Sequence, residues 1–596
     1  MNLIDYYDTW IHNNNLVFII NKSNPLNLYK ETFILLNSLK KQIPLDIVYL
    51  KRFYFELKLI IDKNLISNII RVINVITILK NNNIPHIIRG SSGSSLICYL
   101  LDITNIDPIK YNINFARFLN KFRTKLPDFD IDIPHVYHNY AFKLIHDKWN
   151  NKVARISNHV CYSKKGALQK AKRINKISSD KYNMSQLNEL SKDFIGKFKH
   201  YSLHCGGIIF DDNGFNNDII IKSNDCQIQQ VKYNKDDIEK YGFLKIDILS
   251  NRGLTQLFDI SSTDINNYPD HDDKIIELFA NGFNIGLTFC ESPGMKKILK
   301  LYKPKNIFQL AECLSLIRPM ANDSKNIIED DIDIDILMNT TNRIIFDDDA
   351  ITYIKKLINC SDDMADKIRR AFSKGDWNII NLFMKKVNNN IVIKNRLLNL
   401  KKYSFCKSHA LSYAKLVWCL AYNKIYKPKE FWISTLNNCN TMYRKWVHFR
   451  QAFIEGGIQL SHCNYPYKLV DNRLISKRSN NFYSENISKI EQLKKYGYWI
   501  DNDFMDDCYV KIKNKKTFYV EFKGLVACSR WIKKWINNIG KKYYTYITIG
   551  YSNGHFIDLK IDDKWIKSSI FISGSGIYNK YNNNITVDNY TLIYYT

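Results

Sequence analysis

Three carboxylates alternate in the run Pro127-Asp128-Phe129-Asp130-Ile131-Asp132. In a strand, alternate residues share a face, so these side chains repel one another unless water or a cation neutralises them. Mg2+ favours one or two carboxylates completed by phosphates and water. A second run, Asp331-Ile332-Asp333-Ile334-Asp335, has the same alternation. It follows the loop-like Ala321-Asn322-Asp323-Ser324, has no phosphate-binding turn beside it, and reads as a solvated face. Upstream, Arg89-Gly90-Ser91-Ser92-Gly93-Ser94-Ser95 joins a short strand candidate to the apolar run Leu96 to Leu101. Glycines let the backbone approach a ligand, and a helix N-terminus offers free N–H groups, so such a turn can hold phosphates. Downstream, Gly242 to Leu249 reads as a strand that carries Asp247.

Positioning these groups needs a sheet. Apolar residues recur at helical spacing from Leu50 to Lys80, Asn81-Asn82-Asn83 breaks the pattern, and Ile84 to Ile88 reads as a strand. Asp128 to Ile133 is a second strand, and Lys164 to Lys176 a Lys-rich helix. Residues from about 260 to 438 are mostly helical in pattern. From Tyr509 the chain turns to β character, through Phe518 to Phe522 and Tyr543 to Ile549, with Ser552-Asn553-Gly554 as a hairpin turn. Residues 1–48 carry little pattern and read as an N-terminal extension.

A chain of 596 residues has room for several domains. Its 86 Lys and Arg against 58 Asp and Glu give a net charge of +28, which suits a polyanionic partner. The abundance of Asn, Ile, Lys and Tyr also fits an AT-rich genome, which adds lysine without function. The thirteen cysteines form neither a C-x-x-C pair nor a zinc-spaced set, which points to free thiols in a reducing compartment. The N-terminus is no signal peptide, and Asn64 to Leu79, with Arg71 inside it, is an amphipathic helix rather than a span. The expectation is a soluble, cytoplasmic protein with no membrane partner.

A Gly/Ser turn, a D-x-D strand and a third aspartate on a later strand together resemble the polymerase-beta-like nucleotidyltransferase palm. More specifically, Ile88 to Leu96, Asp107-Pro108, Phe115-Ala116-Arg117 with Arg123, and Pro127 to Asp132 resemble the C-family DNA polymerases, the bacterial DNA polymerase III alpha subunits. His204-Cys205-Gly206-Gly207 is similar to that family's His-Ala-Gly-Gly, and Lys235-Asp236-Asp237 with Gly242 to Asp247 to the segment holding its third aspartate. Further matches are Glu291 to Met295, Ile317-Arg318-Pro319, Ile368 to Phe372 and Tyr403 to Ala410. All these blocks stand in family order.

The resemblance implies a template-directed DNA polymerase of DNA replication, acting on primer-template DNA and deoxynucleoside triphosphates with two Mg2+ ions. Asp128, Asp130 and Asp247 would hold the metals, Asp247 also helping to deprotonate the primer hydroxyl, with Asp132 in support. Gly90, Ser91, Arg117, Arg123, Arg369 and Arg370 would bind the nucleotide phosphates. Lys245 would lie beside the metals, and His409 would face the incoming sugar. Lys164 and Lys165 would touch DNA. Arg530, Trp531 and Trp535, with Tyr543, Tyr544 and Tyr546, suit single-strand stacking on an OB-like fold.

The implied architecture is mixed α/β. It comprises the extension 1–48, palm segments 49–152 and 205–258, a helical thumb 153–204, and helical fingers 259–438. A post-fingers helical region 439–508 and an OB-like β domain 509–596 complete it. With so few residues before the palm, the family's large N-terminal PHP domain is expected to be missing. Cys406 replaces an Asn of the family pattern, and Ser373-Lys374-Gly375 replaces a Gly-rich stretch. A sliding clamp, a separate exonuclease and other replisome proteins are candidate partners. The alternatives are a non-processive repair or translesion polymerase and a catalytically silent template-binding replisome protein.

Overall fold

The computed structural model describes residues 7–12, 15–20, 26–41, 43–44, 46–174, 184–221, 228–317, 344–401, 405–438, 441, 443–478, 487–500, 508–514, 517–536, 540–551, 555–562, 569–579 and 584–594. The second D-x-D run, Arg318-Pro319 and Tyr403-Ser404 lie outside them. Two units divide the chain. One comprises Met1–Asn251, Asp347–Lys401 and Phe405–Ser412; the other comprises Arg252–Phe346, Lys402–Ser404 and Tyr413–Thr596.

The first unit opens with a hairpin, β1 (Tyr7–His12) and β2 (Asn15–Ile20), and helix α1 (Leu26–Asn37). Residues 1–48 are therefore more than an unpatterned extension, since Leu35, Leu36 and Ile43 join the core of this unit. Helices α2 (Ile47–Asp62) and α3 (Ile66–Asn81) follow. Asp46 caps α2 by accepting from the Val48 amide at 2.6 Å.

A seven-stranded sheet holds the candidate residues, with order β3-β4-β9-β6-β5-β8-β7. Its strands are β3 (Ile87–Arg89), β4 (Phe129–Pro134), β5 (Val153–Cys161), β6 (Phe198–Phe210), β7 (Ile220–Ile221), β8 (Gln230–Val231) and β9 (Ile246–Asn251). Phe129, Ile131 and Ile133 are completely buried and set the pleat of β4. Each such side chain contributes roughly 1.5–3 kcal/mol by leaving water. A slip of one residue would turn this apolar set outward, so the aspartates are held to the opposite face.

The expected helical thumb over 153–204 is helical only in its middle, at Lys164–Ile174 and Met184–Lys192. Its ends are β5 and β6, long strands that the sheet recruits through antiparallel pairing. The segment 259–438, expected as one helical body, is divided between the two units. Helices Asp349–Ile358, Asp362–Lys374, Trp377–Lys386 and Ile391–Leu398 belong to the first. Ser361 caps the second of these helices at its start, and Gly375, in the left-handed region at φ 78°, ends it.

The second unit has helices from Arg252 onward, then β10 (Tyr467–Val470) and β11 (Arg473–Ser476), so 439–508 is mixed rather than purely helical. It ends in strands β12 (Tyr509–Asn514), β13 (Tyr519–Ile536), β14 (Gly540–Tyr551), β15 (His555–Asp562), β16 (Ser569–Asn579) and β17 (Asn584–Tyr594). The order β13-β14-β15-β17-β16 closes back on β13, giving a five-stranded barrel with β12 as an added edge. Val520, Phe522, Ile547, Ile549, Leu559, Ile572 and Ile585 fill it. No helix of the described residues is long and apolar enough to cross a membrane.

Candidate active site

Strands β4 and β9 run parallel, with Asp130 directly opposite Asp247. Asp128 immediately precedes β4. Burial, then the charge of Asp247, pushes the Asp130 carboxyl up to about 7. Lys245 donates to Asp247 Oδ2. Burial alone would lower the lysine, but Asp247, Asp128 and Asp130 together hold it above its ordinary value. The other oxygen, Asp247 Oδ1, is buried without a hydrogen-bond partner and lies 3.8 Å from His204 Nδ1. That nitrogen accepts from the Gly207 amide at 2.8 Å and the Gly206 amide at 3.3 Å. The proton of the neutral ring is therefore on Nε2, and Nδ1 has none to give Asp247. Gly206 permits this turn because a Cβ there would fall 2.4 Å from the Ile248 carbonyl oxygen.

Asp132 is placed differently. Its side chain is buried, with Oδ1 2.8 Å from Arg89 Nη2 and Oδ2 accepting from Asn251 at 2.8 Å. Both oxygens are engaged, which fits a supporting part.

A hard divalent cation suits the Asp130–Asp247 pair. Burial and the neighbouring Asp247 raise Asp130, and one buried Asp247 oxygen is unsatisfied. Among the described residues no three His, Cys, Asp or Glu side chains form a metal cage. Asp130 and Asp247, with Asp128 just before the strand, are the carboxylates such an ion would take before adding phosphates and water.

Gly90 sits at φ 80°, and a Cβ there would lie 3.2 Å from Asp130 Oδ2, so the turn passes directly over the carboxylates. The helix after it is not free to bind anions, contrary to the expectation from its sequence. Glu56 of α2, fully buried, accepts from the Leu96 amide at 3.0 Å, the Ile97 amide at 3.2 Å and Ser95 Oγ at 2.7 Å. Arg52 donates to Glu56 at 2.5 Å and to the Ser94 carbonyl at 2.9 Å, bracing the turn from outside. On its other side, Ser408 donates to the Gly90 carbonyl at 2.7 Å. His409 Nδ1 accepts from the Gly90 amide at 3.3 Å, and its ring stacks on Phe405 at 4.3 Å. Ser91 is half-buried at the start of this turn.

Three of the four arginines share two carboxylates, and the fourth does not. Arg117 Nη2 lies 3.0 Å and Nε 3.1 Å from Asp347 Oδ2, and Arg369 Nη1 lies 3.3 Å from the same oxygen. Arg369 also donates to Asp366 at 2.9 Å. Arg370 holds the other Asp366 oxygen at 2.6 Å, which Asn120 shares at 2.8 Å. Asp347 is buried, yet Arg117 and Arg369 hold its carboxyl well below the usual range. Its neighbour Asp348 is pushed well up by burial and by Asp347, and accepts from the Lys407 amide at 2.7 Å. Arg123 donates to the carbonyls of Phe118 and Lys125.

Sequence reasoning missed Glu56, Arg52, Asp347, Asp348 and Asp366. Glu56 alone left a local signal, a carboxylate on the apolar face of α2 among Phe53, Leu57 and Ile60.

Of the residues expected to touch DNA, Lys164 and Lys165 are exposed on their helix. In the barrel, Trp531 is 52% exposed, with the Tyr543 ring at 4.8 Å. Arg530 is instead engaged inside, 2.7 Å from Asp558, so it is no free phosphate ligand. Tyr544 is buried and Tyr546 half-buried. The Trp535 side chain lies outside the described residues, although its backbone belongs to β13.

Residues 29–183 and 156–250 match the family model of the bacterial DNA polymerase III alpha NTPase domain. Residues 252–395 match that of the bacterial DNA polymerase III alpha subunit finger domain. The chain is 27% identical over 535 residues to the DNA polymerase III subunit alpha of Ureaplasma parvum serovar 3, covering 78% of this chain and 54% of that protein. It is 27% identical over 510 residues to the DNA polymerase III subunit alpha of Staphylococcus epidermidis strain ATCC 35984, covering 72% and 47% respectively. The chain thus spans about half the length of the curated relatives it matches.

Proposed function

The chain belongs to the family of bacterial DNA polymerase III alpha subunits, and from that membership we propose that it is a template-directed DNA polymerase adding deoxynucleotides to a primer 3′ end. The seven-stranded sheet is its palm, and the helices from Asp349 to Leu398 belong to its fingers. The observation that carries the reading is the register of Asp130 opposite Asp247 beneath the Gly90 turn, with one buried Asp247 oxygen unsatisfied. The test is extension of a primed template by the purified chain with Mg2+ and the four deoxynucleoside triphosphates. Full-length templated product supports the reading, and its absence under conditions that extend with a known polymerase removes it.

Asp128, Asp130 and Asp247 would hold divalent cation, two ions by the family pattern. When bound, Mg2+ supplies Lewis-acid activation of the attacking hydroxyl and stabilises charge on the leaving pyrophosphate. The chain's own residues do the rest. Lys245 balances part of the carboxylate charge, and the Arg89–Asp132–Asn251 contacts hold the strand beneath. Glu56 and Arg52 keep the Gly90-Ser91 turn fixed from one side, and Ser408 and His409 from the other.

His409, stacked on Phe405 and accepting from the Gly90 amide, is proposed to exclude a 2′ hydroxyl on the incoming sugar. A pocket that rejects one added hydroxyl discriminates by about 10²-fold. His409→Ala should therefore raise ribonucleotide relative to deoxyribonucleotide insertion by roughly tenfold or more within that bound. Single-nucleotide kinetics read this directly, and an unchanged ratio assigns the ring to packing alone.

The closed barrel, with Trp531 exposed beside Tyr543, is proposed to stack single-stranded template. Losing one stacked base costs about 1–3 kcal/mol, so Trp531→Ala should weaken binding of a single-stranded oligonucleotide accordingly. It should leave the salt slope unchanged, because no phosphate contact is removed. Unaltered affinity makes this face a structural one.

A further inference from the structure

We propose that Asp347 is a positioning residue of the nucleotide site, one buried carboxylate that fixes the guanidiniums of Arg117 and Arg369 against each other and against the segment carrying His409. The inference deepens the polymerase reading and rests on it for the ligand, since the family pattern gives both arginines to the phosphates of an incoming nucleotide.

Asp347 joins three stretches of the first unit that are distant in sequence. Arg117, at the end of the turn Phe115–Arg117, places Nε 3.1 Å and Nη2 3.0 Å from Asp347 Oδ2. Arg369, on the helix Asp362–Lys374, brings Nη1 to 3.3 Å from the same oxygen and donates from Nε to Asp366 at 2.9 Å. The third stretch is met through the backbone. The Asp347 amide donates to the Phe405 carbonyl at 3.1 Å, and the Phe405 ring stacks on His409.

Two guanidiniums this close repel each other, and on an open surface each would turn to water. Asp347 removes that freedom. Burial alone would raise its carboxyl, but Arg117 and Arg369 hold it well below the usual range, so it is the anion between them. Asp348 has a different part. Burial, then Asp347, push its carboxyl well up, so it keeps its proton. Its Oδ2 accepts from the Lys407 amide at 2.7 Å, at the start of the helix whose Ser408 and His409 meet the Gly90 turn. One aspartate is therefore an anion and its neighbour a neutral hydrogen-bonding group.

A buried ion pair contributes little net stability, because desolvation offsets the attraction. What this one fixes is direction. Asp347 takes Nε and Nη2 of Arg117, while Asp366 and Asp347 take Nε and Nη1 of Arg369. Among the described residues Arg117 Nη1 and Arg369 Nη2 make no hydrogen bond, so each guanidinium keeps one nitrogen for a phosphate oxygen.

The test uses the full chain and the variants D347N, D347E, D348N and R117Q, with D347N also placed in R117Q. Asparagine removes the anion, and glutamate keeps it but moves it by one methylene. We expect KM for deoxynucleoside triphosphate in primer extension to rise at least tenfold in D347N and at least threefold in D347E. In both, kcat should change less than threefold and affinity for primed duplex less than twofold. D348N, whose amide reproduces a protonated acid, should raise KM by less than threefold. In R117Q the further rise from D347N should be smaller than in the wild type, since one of the two arginines it acts through is already altered. D347E, which keeps the charge, carries the test if thermal unfolding shows that D347N does not fold. Unchanged KM in D347E overturns the proposal. So do a D348N as costly as D347N, equal rises from D347N in both backgrounds, or equal losses of nucleotide and duplex affinity. Equilibrium binding of deoxynucleoside triphosphate without divalent cation separates the two readings. If the wild-type chain binds it without extending primers, and the Asp347 variants bind it at least threefold more weakly, the positioning role stands and the polymerase reading falls.

Discussion

Asp247→Asn is expected to lower the rate of primer extension by about 10³-fold or more, because a bound metal contributes several kcal/mol of charge stabilisation and each 1.36 kcal/mol is tenfold. Asparagine preserves the volume and can still accept from Lys245, so the strand should remain in place. It cannot offer the negative charge that the unsatisfied Oδ1 now presents beside Asp130. Binding of primed duplex should be unaffected, since the proposed role of the carboxylate is to position a cation rather than DNA. Single-turnover extension and equilibrium DNA binding on the same preparation separate the two effects. Asp132→Asn is the informative companion. Both Asp132 oxygens are taken by Arg89 and Asn251, so its loss should act through strand position and cost less. Extension by Asp247→Asn at near wild-type rate would remove the site assignment altogether.

Glu56→Ala should be the most disruptive single change to the scaffold. It would strip the partner from two backbone amides, one hydroxyl and one guanidinium, all around a fully buried position. Breaking a buried, hydrogen-bonded charge pair by deleting one member costs about 3–5 kcal/mol. Amide exchange across residues 91–100 should accelerate by about 10²-fold or more, in keeping with that loss. Exchange in the C-terminal barrel should not change, because its core is a separate cluster. If the turn retains its protection, Glu56 is not what holds it.

These two residues mark how far the sequence could be read. Asp247 was legible because its neighbours repeat a strand pattern and because blocks on either side occur in a known order. The β4 aspartates were legible because Phe129, Ile131 and Ile133 alternate with them. Glu56 stands four residues after Arg52, a spacing that ordinarily means a solvated helix pair. Only its place among apolar residues hinted that both turn inward. Asp347 left no hint: its partner Arg117 lies 230 residues away, and long-range pairing has no local signature. The thumb boundaries failed for a related reason. Val153–Cys161 and Phe198–Phe210 are polar for much of their length, because they extend beyond the buried part of the sheet, and so do not alternate strongly.

The Gly90 turn closes on His409, 319 residues further along the chain. At the ribosome the carboxylates and the turn emerge long before the ring that completes them. With synthesis at about 5–20 residues per second, that interval lasts roughly 15–60 s. For that period a nascent chain has the aspartates and the turn but not the ring that accepts from the Gly90 amide. Translation products that stop short of residue 409 inherit the same defect. Completion of the Gly90 turn is therefore a late event in synthesis, and early termination yields fragments that lack its His409 contact.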